Sequence, residues 1–285
     1  MSNALFGLGR NGFGTKQFAW NSDTNKAILL SMSVAAGKIA LIASSTNASP
    51  IALTTTGAHG YGVGDIVVVG GHLTNTAANG TWQCGTGTAG TTINLATKLD
   101  NVNSTGNGVG GTTGWVIDLT TAATLADISG NGIGTDATLS GESMTLGVAN
   151  CSAINWTGLT ATKAWAVAIY DSTASNDLIA FIDGTYQVYV ITQAAASATS
   201  IAVARLAAVI PNGSVLNFSD GSQATLTAQA NVGDTALTVS ALAAIVHRQA
   251  TADVPTLQCG LPVTPAPGGN LTLTPDTGVN KLFAL

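Results

Sequence analysis

Apolar side chains recur at every second position through much of this chain, a spacing that suits β-strands and excludes long amphipathic helices. Trp165, Val167 and Ile169 alternate with Ala166, Ala168 and Tyr170. Tyr186-Gln187-Val188-Tyr189-Val190 and Ala224-Thr225-Leu226-Thr227 keep the same period with β-branched and aromatic residues. Between such runs stand turn clusters, among them Ala78-Asn79-Gly80, Asp183-Gly184 and Ser219-Asp220-Gly221. There Gly accepts positive φ and Asn or Asp bonds locally to the backbone. The only helical candidates are short, around 204–208 and 241–245. An all-β fold is therefore expected.

The surface of such a fold must be built with few charges. Only 8% of residues are charged, against roughly 25% in an ordinary soluble domain, while 46% are hydrophobic. Weakly charged copies repel one another little and lose little hydration when packed together, which suits a protein built into an assembly. Nine basic and 14 acidic residues, with no Lys/Arg cluster, give no electrostatic footprint for a phosphate backbone, so direct nucleic-acid binding is not expected. No apolar run approaches the roughly 18 residues that would cross a bilayer, and Met1-Ser2-Asn3-Ala4-Leu5 lacks the basic start of a secretion signal; no membrane association is expected. Cys84, Cys151 and Cys259 are widely spaced, without a C-x-x-C pair, and read as small buried hydrophobes.

Several segments resemble parts of a family of tailed-bacteriophage virion structural proteins. They are a Gly9-Arg10…Phe13 start, Trp20 with Asp23-Thr24, the turn Leu125-Ala126-Asp127-Ile128, the strand Leu178-Ile179-Ala180-Phe181-Ile182-Asp183, and the ending Leu261-Pro262-Val263-Thr264-Pro265 through Asn280-Lys281-Leu282-Phe283-Ala284-Leu285. The resemblance implies one discontinuous core, of β-sandwich or barrel-like form, made of residues 1–44, 115–184 and 258–285. Two small β modules then interrupt it. The first, 45–114, carries His59-Gly60…Gly64-Asp65 and Asn75…Asn79-Gly80-Thr81-Trp82, a pattern similar to a module recurrent in phage structural proteins, and returns through a Gly-rich stretch, 105–114. The second, 185–257, holds an internal repeat in which 199–210 matches 235–246 and both copies carry Leu-Ala-Ala, at Leu206 and Leu242. The resemblance is least clear over 32–38, after the opening strand.

Candidate chemistry is sparse. Gly7-Leu8-Gly9-Arg10-Asn11-Gly12 and Gly106–Gly111 fit G-x-G-x-x-G literally, but no preceding strand and following helix are readable around them. Asp127 to Asp136 resembles a Gly-rich cation loop whose twelfth position, Thr138, lacks the required Glu. His59, His72 and Cys84 leave a zinc site one ligand short, and Glu142 with Asp136 is not set apart from other turn carboxylates as a glycosidase pair. The five tryptophans, Trp20, Trp82, Trp115, Trp156 and Trp165, lie in strand-like contexts and read first as core, with a sugar platform as the alternative. No catalytic, cofactor-binding or metal-binding residue is assigned.

The resemblance implies a non-enzymatic virion protein, assembled in the host cytoplasm. Its first form is a capsid decoration or cement protein, with the major capsid protein and copies of itself as partners. Placement in the tail or neck is one alternative, and a host-glycan-binding adhesin is another. Chain ends pair readily with open sheet edges, so 2–20 and 280–285 are the expected lattice contacts.

Overall fold

A computed structural model describes residues 4–15, 17–75, 78–96, 114–145, 147–173, 175–182, 185–204, 206, 210, 212–218, 222–231, 233–248, 251–255, 261, 263–275 and 282–284. It is an all-β fold. The chain opens with strand β1 (Ala4–Leu5), helix α1 (Gly7–Gly14) and β2 (Asn25–Leu30). Six strands follow, β3 (Ile39–Ser45), β4 (Ala52–Thr55), β5 (Ile66–Gly70), β6 (Gly80–Cys84), β7 (Thr92–Ala96) and β8 (Trp115–Asp118), and they close a barrel in the order β3-β4-β7-β6-β5-β8. Next come β9 (Gly132–Thr138), β10 (Ser143–Thr145), β11 (Val148–Asn150), β12 (Ile154–Leu159), β13 (Ala166–Asp171) and β14 (Asp177–Ile182). The third unit contains β15 (Thr185–Tyr189), β16 (Ser200–Ala202), β17 (Val215–Asn217), β18 (Gln223–Thr225), β19 (Ala236–Thr238) and β20 (Thr251–Pro255). The chain then returns to the core with β21 (Gly269–Leu273) and β22 (Phe283–Ala284).

The core is a five-stranded antiparallel sheet ordered β1-β14-β13-β2-β9. Every residue of β13 and β14 is buried, because both faces of the sheet are covered. One face presents Ala27, Leu29, Val167, Ile169, Ala180 and Ile182 to a layer formed by Trp20, Trp156, Leu159, Leu261, Leu273 and Leu282. The other presents Ile28, Leu30, Ala166, Ala168, Tyr170 and Phe181 to Ile39, Val68, Trp115 and Ile117 on the barrel's outer wall. Cross-strand partners stay on one side, as the pairs Val167↔Leu29 and Ala168↔Ile28 require of a period-two pleat. A bulge between Ile169 and Tyr170 sets Tyr170 opposite Leu178 and keeps this order despite the extra residue, Ile179.

The first, middle and last segments therefore share one hydrophobic cluster. Leu5 pairs with Ala180, the amide of Phe6 donates to the carbonyl of Ile179 at 3.1 Å, Val263 and Ala164 exchange bonds of 2.8 and 3.0 Å, and Phe283 pairs with Ala149. Ala4–Leu5 and Phe283–Ala284 pair within their own chain as the edge strands β1 and β22, each with one neighbour among the described strands. Residues 1–3, 276–281 and 285 lie outside the described residues.

The barrel is larger than the inserted module read from sequence. Residues 39–44 and Trp115–Asp118, assigned to the core, belong to barrel strands β3 and β8, which pair with each other through Ile39↔Ile117 and Leu41↔Trp115. Strands β3, β5 and β8 point Ala40, Ile42, Val67, Val69 and Val116 into the barrel and the alternate residues onto the sheet. Two features of the motif fix its loops. The Asp65 carboxylate accepts the Gly62 amide at 2.7 Å before β5, and the Asn79 amide group clamps both backbone groups of His72 at 2.9 Å before β6. The stretch 32–38 is a turn between β2 and β3. In it Met32 has φ 50°, and a side chain on Gly37 (φ 60°) would lie 2.1 Å from the Asp127 carbonyl oxygen.

The second module has its own core, and its repeat is a local two-fold. Ile201 pairs with Leu237 at the centre, and equivalent bonds recur on either side: the amide of Val203 donates to Thr235 and that of Val239 to Thr199, Leu206 to Asp234 and Leu242 to Ala198. The Ala194↔Val246 bridge is matched by Ile210↔Ala230, and Val190↔Val203 by Leu226↔Val239, so the symmetry runs further toward the N-terminus of each copy than the sequence match did. The 241–245 stretch is not helical, since Leu242 and Val246 spend their amides on these inter-copy bonds; 205 and 207–209 lie outside the described residues, as do the turns 183–184 and 219–221. Antiparallel pairing of Thr185 with Pro255 brings the module's two ends side by side, the geometry that lets a loop accept an insertion.

The symmetry exposes an unequal pair. Ser197, at φ 68°, occupies the position that Gly233, at φ 96°, occupies in the other copy. A left-handed backbone costs a residue with a Cβ about 1 kcal/mol or more. Ser197→Gly should therefore raise the unfolding free energy by up to ~1 kcal/mol, and Gly233→Ala should lower it. Denaturant titration checks both; destabilisation by Ser197→Gly would contradict the pairing.

Candidate functional site

Where the barrel wall meets the edge of the core sheet, a cleft of about 350 Å³ opens, lined by Met32, Ser33, Leu41, Gly71, Leu73, Gly114, Trp115, Lys163 and Trp165. Its position follows from the packing already described. Trp115 on β8 faces the sheet, and Trp165 immediately precedes β13, with its amide donating to Leu30 at 2.8 Å. The two indoles meet edge to face, with centroids 6.3 Å apart and planes at 70°. Glycine is required here. A Cβ at Gly70 would sit 2.3 Å from the Trp115 ring, and one at Gly71 (φ 71°) 3.1 Å from Trp165.

The cleft's polarity is uneven. Trp115 is only 3% exposed, and its indole N–H has no acceptor among the described residues. Such an unpaired buried donor costs on the order of 1–3 kcal/mol. At the mouth the Lys163 ammonium lies 3.8 Å from the Trp165 ring centroid, a cation–π contact, and makes no ion pair among the described residues. Leu73, 73% exposed, gives the cleft an apolar rim.

The residues weighed from sequence go elsewhere. Gly7–Gly14 is a helix preceded by a two-residue strand, so the first glycine motif has the elements that seemed missing. Its glycines serve contact between backbones instead. A Cβ on Gly7 would lie 2.6 Å from the Thr120 carbonyl oxygen and one on Gly9 2.2 Å from that of Ile179, which leaves no room for a pyrophosphate. The second motif, Gly106–Gly111, lies outside the described residues. In the Asp127–Asp136 loop the acids have separate tasks. Asp127 accepts the amides of Ala123 and Thr124 at 2.9 and 3.0 Å in a capping box, and Asp136 accepts the Tyr170 hydroxyl at 2.7 Å. Buried Asn131 holds the loop by accepting from the amides of Ser33 and Val34 and donating to the Val34 carbonyl.

His59, His72 and Cys84 do not converge. His59 accepts the Tyr61 amide at Nδ1 (2.9 Å) and donates from Nε2 to the Thr92 carbonyl (3.1 Å), which makes it a brace for the turn into β5. His72 is fully buried, accepts the Asn75 amide at Nδ1 at 3.4 Å, and leaves Nε2 unpartnered. Among the described residues no three His, Cys, Asp or Glu side chains form a metal-binding group. Burial pushes the thiols of Cys84 and Cys151 up to about 12, with nearby carboxylates adding to the effect; both are free cysteines, and Cys259 lies outside the described residues. Glu142 neighbours Cys151, while Asp136 is engaged with Tyr170.

Three tryptophans are core. Trp20 donates to the Asn150 carbonyl at 3.1 Å, Trp156 to that of Ala27 at 3.3 Å, and Trp115 packs between sheet and barrel. Trp82 is half-buried and donates to Ala78 at 2.7 Å; only half-buried Trp165 combines a partly open ring with a cleft and a cation. The cleft itself was missed in the sequence, where Lys163 and Trp165 stand two apart but their partners lie far away in the chain.

Comparison adds no relative: no family model matches the chain, and no curated protein or solved structure matches it. No helix among the described residues is long and apolar enough to cross a membrane.

Burial holds both barrel imidazoles below the ordinary histidine value; for His59 the bond to Thr92 opposes this in part. A lowered folded value means that the neutral rings contribute stability in full above pH ~6.5, and that it is lost as pH falls below that point toward the folded values. Imidazole NMR titration should give midpoints below ~6.5 for His59 and His72. A midpoint at or above it for His72 would contradict the buried neutral ring.

Proposed function

We propose that this chain is a structural protein of a tailed-phage virion, in the form of a capsid decoration or cement protein. The discontinuous core binds the major capsid lattice and neighbouring copies, and the barrel and the two-fold module project from it. One observation carries the reading. The segments that resemble the phage family, around Arg10, Trp20, Asp127, Phe181, Val263 and Phe283, are far apart in sequence and gather on the core sheet and in the elements packed around it. That is the arrangement a single domain interrupted by insertions requires.

The sparse charge fits the same role. With 8% charged residues, packing copies side by side removes few ions from water, and many weak contacts repeated over a symmetric shell add up without any one being strong. Of the expected contact segments 2–20 and 280–285, β1 and β22 stand at the edges of their sheets, where a neighbour's strand can add.

Cryo-EM of particles from the source that encodes the chain tests the proposal. The expected result is density for this fold at symmetric positions over the capsid faces. Density confined to the portal vertex or tail would overturn the decoration reading in favour of the tail or neck, and absence from the particle would overturn both.

A further inference from the structure

We propose that the Trp115–Trp165 cleft is a binding site for a carboxylated sugar residue, of the uronic or sialic acid type. Small-ligand sites are concave and mostly apolar, with a few fixed polar groups, and a volume of about 350 Å³ is that of a pocket for one sugar ring with its substituents. A pyranose has an apolar C–H face and a polar edge. The half-buried Trp165 ring offers its face to the C–H side, with buried Trp115 packed against it, and the backbones of Gly71 and Gly114 and the Ser33 hydroxyl, which also bonds to that of Ser31, lie beside it toward the ring hydroxyls.

Lys163 selects the acid. It is one of only nine Lys and Arg residues in a chain of net charge −5, it stands at the cleft mouth, and its ammonium lies over the Trp165 ring with no ion pair among the described residues. A carboxylate is a better partner than an indole face, so an arriving acid draws the ammonium aside and uncovers the ring for the sugar. A single ammonium matches the single charge of a carboxylate. A phosphate monoester, with charge of about −1.5 to −2, is ordinarily met by several donors or an Arg cluster, and the cleft has neither. An acidic side chain of a partner peptide shares the charge but has no ring face to place on the indole. This site is independent of the virion reading: a decoration protein or an adhesin could carry it.

The test is titration of the intact protein with sodium glucuronate and N-acetylneuraminate, followed by tryptophan fluorescence and ligand-observed NMR. Glucose and N-acetyl-glutamate serve as the neutral-ring and ringless-acid controls. Saturable binding of the acidic sugars in the millimolar range is expected, at least tenfold tighter than either control and weakened at least tenfold by Lys163→Met, which keeps the aliphatic stem. Trp165→Leu should abolish it, with circular dichroism confirming that both variants are folded. No saturation by about 10 mM acidic sugar, equal binding of glucose or of N-acetyl-glutamate, or indifference to Lys163→Met in a folded protein would each overturn the proposal.

Discussion

Strands β13 and β14 have no solvent face, and each other unit of the core is held by what covers their two sides. Val167, Ile169 and Ile182 point one way and Ala168, Tyr170 and Phe181 the other, so the sheet needs two partners. Sequence-distant segments supply the first: the Trp20 region, β12 with β21, and the C-terminal strand. The barrel supplies the second. Fully burying an aliphatic or aromatic side chain contributes about 1.5–3 kcal/mol, and the apolar residues on these two faces make the sheet the chief source of cohesion between segments that are otherwise joined only through inserted units.

The two insertions use the same device at different scales. β3 and β8 pair at the base of the barrel, β15 and β20 at the base of the second module, so each unit leaves and rejoins the core through adjacent antiparallel strands. They differ in coupling to the core. The barrel gives its outer wall to the sheet and forms the aromatic cleft at that junction, whereas the second module keeps a separate hydrophobic cluster organised about the Ile201–Leu237 pair. The cleft at the junction is therefore tied to the core's integrity.

Much of this was legible in the sequence, for identifiable reasons. Alternation at 165–170 and the turn chemistry of Asp65 and Asn79 act locally, and each gave the right element. The order of motif segments carried their convergence. Helix α1 was hidden because Gly7, Gly9, Gly12 and Gly14 have poor helix propensity; the first three are present because the helix lies against the backbones of Thr120 and Ile179 and the ring of Phe18, which only the fold reveals. The barrel's limits were misplaced because Ile39–Ser45 and Trp115–Asp118 are as apolar as core strands, and they do contribute one face to the core. The cleft draws on residues from 32 to 165 and has no local signature at all.

The central claim is that the first, middle and last segments form one cooperative core built around the five-stranded sheet. Native-state hydrogen exchange addresses it directly through three amides that cross between segments: Phe6 to Ile179, Val263 to Ala164 and Leu282 to Ala149. The account predicts that these amides are protected and share one opening free energy with the amide of Trp165 at the head of β13. Rapid exchange of Phe6, Val263 and Leu282 while Trp165 stays protected would show that the chain ends are not part of that core and would contradict the account.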